Sequence, residues 1–186
     1  MKNDLNFMLN AFPKKCANDV KAVSNFLQYD SHGYHNGVEQ ITVGNETISM
    51  PYRIYYFELT DLVFEVLTES QKRLLYCYFL CHHDGYVRHK YLKKIIESNK
   101  IYDYELPYIV SLIGSYVIEI SEEIYNHFDL LIDSGLDYFI CDNTLFIKKV
   151  ESRIASYWGE YFKSISKEKY FGFKIQKYFK DQRFKC

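Results

Sequence analysis

With 186 residues, 48% of them hydrophobic and 25% charged, the chain has the size and composition of one ordinary globular domain, which excludes a fibrous or broadly disordered protein. Its longest uncharged apolar run, Leu106 to Ile118, covers 13 residues and falls short of the ~20 that cross a bilayer. The net charge of −1 conceals a division: residues 61–147 hold 7 Lys/Arg against 14 Asp/Glu, and residues 148–186 hold 11 against 4. A basic tail docked on its own acidic body accounts for that polarity, and so does a patch for an acidic partner.

The aromatic load stands out: 19 Tyr and 14 Phe against 8 Gly and 3 Pro. A Tyr ring needs an apolar bed and its hydroxyl a wet or hydrogen-bonded place, so a large core and much half-buried surface are expected. The five cysteines, Cys16, Cys77, Cys81, Cys141 and Cys186, are odd in number. Lys2, Asp4 and Asn10 interrupt the N-terminal run, which does not read as a secretory leader. Reduced thiols in a cytoplasmic protein are the expectation.

The first 30 residues read as a short helix capped by Asn18 or Asp19, with Val20, Val23, Phe26 and Leu27 on one face. Ser31 to Gly37 has loop chemistry. Ile41-Thr42-Val43 and Thr47-Ile48-Ser49-Met50 flank Gly44-Asn45-Glu46 and predict a hairpin with a three-residue turn, which Pro51 ends. Thr68 with Gln71 reads as a capping box before the stripe Leu74, Leu75, Tyr78, Phe79 and Cys81, and Gly85 as that helix's left-handed C-cap. Tyr91, Leu92, Ile95 and Ile96 then share one side of a helix whose other side is basic.

Asp103 and Pro107 announce a third helix, apolar nearly all round from 106 to 120 and expected to run on towards Leu131. Ser134-Gly135 breaks it. Asn143 or Thr144 caps a long helix with Phe146, Val150, Ile154, Tyr157 and Tyr161 in line, and a last helix from about Lys167 aligns Phe171, Ile175, Tyr178 and Phe179. The pattern predicts a mainly α, single-domain bundle of five or six helices around a central apolar helix, with a small N-terminal β-hairpin. Within 1–186, residues 1–58 are the N-terminal helix and hairpin region, 60–164 the helical core and 165–186 the basic C-terminal helix.

Three constellations carry chemistry. Cys77, Cys81 and His83 offer metal ligands, because two thiols four apart on a helix share a face. Two cysteines facing the core as small hydrophobes is the simpler reading, and no cofactor is expected. Arg88, Lys90, Lys93 and Lys94, after the turn at 82–85, could meet phosphates as the basic helix of a helix-turn-helix, but residues 106 to 120 have almost nothing polar to show to bases, and a solvated face is the preferred reading of those lysines. Lys174, Lys177, Lys180 and Arg183 interleave with rings in the C-terminal helix, a mix suited to single-stranded nucleic acid or an anionic membrane surface. An amphipathic helix that packs its rings on the body and aims its lysines at the acidic middle segment is preferred to either. No dinucleotide, P-loop, nucleophile-elbow or zincin motif occurs.

Leu67-Thr68 through Gln71, His82-His83-Asp84-Gly85-Tyr86-Val87-Arg88, Leu112 through Glu119-Ile120, and Arg153-Ile154-Ala155-Ser156-Tyr157-Trp158 together resemble a family of small uncharacterised bacterial proteins. The resemblance covers the larger part of the chain. It implies a bacterial cytoplasmic protein and transfers no active-site residue. Bacterial proteins of this size include immunity proteins that neutralise a toxin by covering its active surface, an analogy of size and context. With no catalytic motif and abundant Tyr, the function expected is non-enzymatic binding of another protein, a toxin among the candidates. Tyr34, Tyr52, Tyr55, Tyr86 and Tyr102, in or beside loops, are the expected anchors.

Overall fold

A computed structural model describes residues 2–30 and 35–186. The protein is mainly helical with a two-stranded antiparallel hairpin near its N-terminus. Its contacts divide it into two compact units, Met1–Ile95 and Ile96–Cys186, where the sequence suggests one domain with divisions near 60 and 165.

The first unit holds α1 (Lys2–Ala11), α2 (Ala17–Ser24), β1 (His35–Val43), β2 (Glu46–Ile54), α3 (Asp61–Glu65), α4 (Glu69–Phe79) and nearly all of α5 (Gly85–Ile96). Asn18 and Asp19 lie in the first turn of α2 rather than capping it, because a 3-10 turn over Lys14–Cys16 leads in and Cys16 takes the cap position. β1 begins at His35, inside the stretch read as a loop. Val43 faces Glu46, so the turn is the two residues Gly44-Asn45 and not three. Gly44 has φ +57°, the positive angle that the first position of a tight hairpin turn requires. Pro51 does not end pairing. It stands opposite Val38 and the strand continues to Ile54, as a ribbon with two open edges allows.

Ile41, Val43, Ile48, Met50 and Ile54 are buried on the hairpin, α1 packs against β2 and α2, and α2 packs against α4. Thr68 caps α4 as expected: its hydroxyl accepts the Gln71 amide at 3.3 Å and its own amide donates to the Gln71 carboxamide at 3.1 Å. Leu74, Leu75, Tyr78, Phe79 and Cys81 are all buried. Gly85 is no C-cap. It opens α5, whose start is capped by the Asp84 carboxylate accepting the Tyr86 amide at 2.8 Å.

The second unit holds α6 (Leu106–Leu112), α7 (Ile118–Asn126), α8 (Phe128–Asp133), α9 (Leu136–Asp142), α10 (Thr144–Tyr161) and α11 (Phe171–Arg183). The continuous helix expected from 106 towards 131 is three helices. The first break falls at Gly114-Ser115, where the chain meets α10 so closely that a Cβ on Gly114 would lie 2.7 Å from the Arg153 Cβ. Glycine there permits this close approach and also weakens the local helix. Every residue of α6 except Ser111 is buried, so this short helix does occupy the core of its unit. Phe146, Val150 and Ile154 are buried along α10, whereas Tyr161 at the end of the same stripe is exposed. Among the described residues no helix is long and apolar enough to cross a membrane.

Candidate functional site

The segment from Phe57 to Val66 is rich in apolar residues, yet none of its residues is buried. Phe57, Leu62 and Val66 are 58%, 71% and 73% exposed. Leu62 and Val66 stand one helical turn apart and share a face. Beside them lies a depression of about 210 Å³ lined by the rings of Phe64, Tyr76 and Tyr91, by Lys72, Lys90 and Lys94, and by Asp61 and Glu65. The three ring centroids are 5.5 to 6.0 Å apart and form one tilted cluster. The Tyr91 hydroxyl donates to Glu58 at 3.4 Å, and Lys90 pairs with the same carboxylate oxygen. Burial first, and then the Glu58 carboxylate, push the Tyr91 phenol up, so it stays a protonated donor. The depression thus has an aromatic centre and a charged rim. Nothing in the sequence singles out this segment, because apolar residues carry no mark of being left uncovered.

The turn between α4 and α5 places the metal candidates. Cys77 and Cys81 are buried free thiols beside Leu74 and Tyr78. His83 lies with its ring stacked on Tyr55 at 5.1 Å and its Nε2 3.3 Å from the Asp30 carboxylate. Among the described residues no group of three or more His, Cys, Asp or Glu is placed to hold a metal ion. Arg88, one of the candidates for phosphate contact, is instead fully buried. Its Nη1 donates to the carbonyls of His82 at 2.7 Å and His83 at 2.9 Å, which lie just beyond the end of α4.

His82 is buried and neutral. Its Nδ1 accepts the Asp84 amide at 3.1 Å, which leaves Nε2–H to donate to the Tyr56 carbonyl at 2.9 Å. Burial lowers its pKa, against the opposing pull of the Tyr56 carbonyl. Protonation would turn Nδ1 into a second donor facing an N–H. A His depressed in the fold contributes stability that is whole above the unfolded value near 6.5 and is lost as pH falls below it. Thermal unfolding should therefore show the wild type losing more stability between pH 7 and pH 5 than His82→Gln does. Equal losses in the two proteins would remove His82 as the cause.

Of the expected tyrosine anchors, Tyr86 is fully displayed in the first turn of α5. Tyr55 is stacked on His83, and Tyr52 lies under the Arg53 guanidinium at 4.5 Å. In the second unit, Tyr102 stacks on Tyr104 at 5.8 Å with Lys100 over its ring at 4.6 Å. Tyr34 lies outside the described residues.

The C-terminal basic helix is α11. Its inner face is buried through Gly172, Ile175 and Phe179. The Tyr178 hydroxyl donates to Asp137 at 2.5 Å, and burial followed by that carboxylate pushes its pKa up to about 12. Arg183 is mostly buried and bound to Glu151 at 2.9 Å. Lys174 lies over the rings of Tyr125 and Phe171 at 4.8 and 4.9 Å. Lys177 and Lys180 are exposed and, among the described residues, pair with no carboxylate. The rings of α11 thus dock on α7, α8 and α9 as expected, but Lys177 and Lys180 are not engaged by their acids.

Cys141 and Cys186 form a disulfide with Cα atoms 5.5 Å apart, which overturns the expectation of five reduced thiols. An odd count leaves room for a pair, and 45 residues of separation gave no sequence signal that α9 and the end of α11 meet.

Comparison with protein-family models, with curated proteins and with solved structures found no match to this chain.

Proposed function

We propose that this chain is a non-enzymatic bacterial interaction protein that binds another protein through the face formed by Phe57, Leu62, Val66 and the ring-lined depression beside them. The observation that supports it is a segment of ten residues, many of them apolar, with none buried. Large apolar side chains displayed to this extent are costly in water and stable when covered. The ring cluster beneath supplies the large, conformationally restricted contacts that anchor interfaces. Exposed Tyr86 extends the displayed aromatic area of the same unit.

Neutralising a toxin by covering its active surface is the specific form of this proposal, and it rests on likeness of size and context alone. A cytoplasmic setting belongs to the same reading. There the Cys141–Cys186 pair would be held largely as thiols unless oxidised for a regulatory or catalytic purpose.

The test is retention of a partner from a bacterial lysate by the wild-type chain and by Leu62→Asp/Val66→Asp. Both side chains are more than 70% exposed, so the variant should fold with unchanged circular dichroism. Loss of the retained protein in the variant is the expected result, a fall in affinity of at least about 2 kcal/mol. Retention of nothing by the wild type, or of the same protein by both, would sink the proposal.

A further inference from the structure

Phe173, Lys177, Lys180 and Phe184 recur at i, i+4, i+7 and i+11, which sets them in one stripe of α11 and its C-terminal cap, opposite the face buried through Gly172, Ile175 and Phe179. Two depressions, of about 420 and 510 Å³, meet at Lys180. The first takes in Phe173 and Lys177, the second Lys148 and Phe184. Phe184 is 90% exposed, and Lys148, Lys177 and Lys180 have no carboxylate within ion-pair reach among the described residues. Two negative groups are near: Glu168 on the rim of the first depression, held in its ionised form by its own backbone amide and then the Ser166 hydroxyl, and Asp181 beside the stripe. They leave the stripe positive, since residues 148–186 carry 11 Lys/Arg against 4 Asp/Glu.

We propose that this outward face of α11, with Lys148 beside it, binds single-stranded nucleic acid. The proposal rests on residues of the second unit and does not depend on the reading of the Phe57 to Val66 face. Phe184 at one end offers a displayed stacking platform, the lysines along the stripe meet the phosphates of the strand that leads from the stacked base, and Phe173 at the other end, about 16 Å away along the helix, is partly exposed and packs edge-on against Trp158 and Tyr170. An interfacial membrane helix is built the other way, with apolar residues together in the middle and lysines at the flanks, and the apolar face of α11 is already buried in its own unit. An acidic protein would use the lysines but leave the displayed Phe184 ring without a role.

The experiment is fluorescence anisotropy of a labelled oligodeoxythymidine of about 20 nucleotides with the full, oxidised chain, from about 0.05 M salt upward. Binding should weaken with salt at a log–log slope of about −2, the sum expected from three lysine–phosphate contacts on a single strand. Lys177→Glu/Lys180→Glu should lower affinity at least about tenfold and flatten the slope. Phe184→Ala, at a side chain that supports no packing, should lower affinity on the order of tenfold and leave the slope unchanged. No binding at the lowest salt, or no effect of either variant, overturns the proposal. So do equal competition by polyglutamate with Phe184→Ala silent, which means an acidic protein, and tighter binding to phosphatidylglycerol vesicles, which means a membrane.

Discussion

Replacing Arg88 by Ala will destabilise the first unit by about 3–5 kcal/mol. The side chain is fully buried, and one guanidinium nitrogen satisfies two carbonyls, at 2.7 and 2.9 Å, that follow the end of α4. Truncation leaves the buried His82 carbonyl and the part-buried His83 carbonyl without their donor and opens a cavity in the volume the side chain filled. Loss of the buried charge offsets part of this, since that charge was itself costly to bury. Arg88→Lys keeps the charge and a nitrogen able to donate to both carbonyls, but its shorter side chain places that nitrogen short of Nη1 and leaves part of the guanidinium volume empty, so it should recover only part of the stability. Native-state hydrogen exchange is the suitable measurement, because it reads the amides of α4 and α5 apart from the second unit. A change below about 1 kcal/mol in their protection would show that the carbonyls find other donors.

Cys141→Ser will destabilise the second unit by about 4 kcal/mol, the chain-entropy expectation for a cross-link spanning 45 residues. The bond ties the end of α11 to α9, and both cysteines are exposed, so a reductant reaches them in the folded protein. Urea unfolding followed by Trp158, which lies in α10 of the same unit, reports the effect. Reduction of the wild type should lower the midpoint as much as the substitution does. A midpoint indifferent to reduction would mean that Ile175, Phe179 and the Arg183–Glu151 pair alone hold α11 in place.

Local signals were legible wherever a single element answered them. The Thr68–Gln71 box, the stripe from Leu74 to Cys81 and the hairpin strands all follow from neighbours within a few residues. The candidate surfaces were legible only in part. The basic and aromatic spacing of α11 is visible in the chain, but whether the lysines meet acids depends on how α7, α8 and α9 present Glu and Asp. Arg183, grouped with Lys177 and Lys180 by spacing, is separated from them by Glu151, 32 residues earlier in the chain. The Phe57 to Val66 segment was illegible as a surface, since an apolar run carries no mark of being left uncovered.

Composition and periodicity by themselves determined a mainly helical protein with one N-terminal hairpin, because hydrophobic spacing and caps act over one or two turns. The tertiary structure showed that the long apolar run breaks after Leu112 and that Gly114 approaches α10 to within the space of a missing methyl group. It also decided that Arg88 is an internal brace and that Cys141 meets Cys186. Each of these depends on groups far apart in the chain or on a close approach that no local pattern encodes, and burial then sets whether a charge or a thiol is structural or displayed.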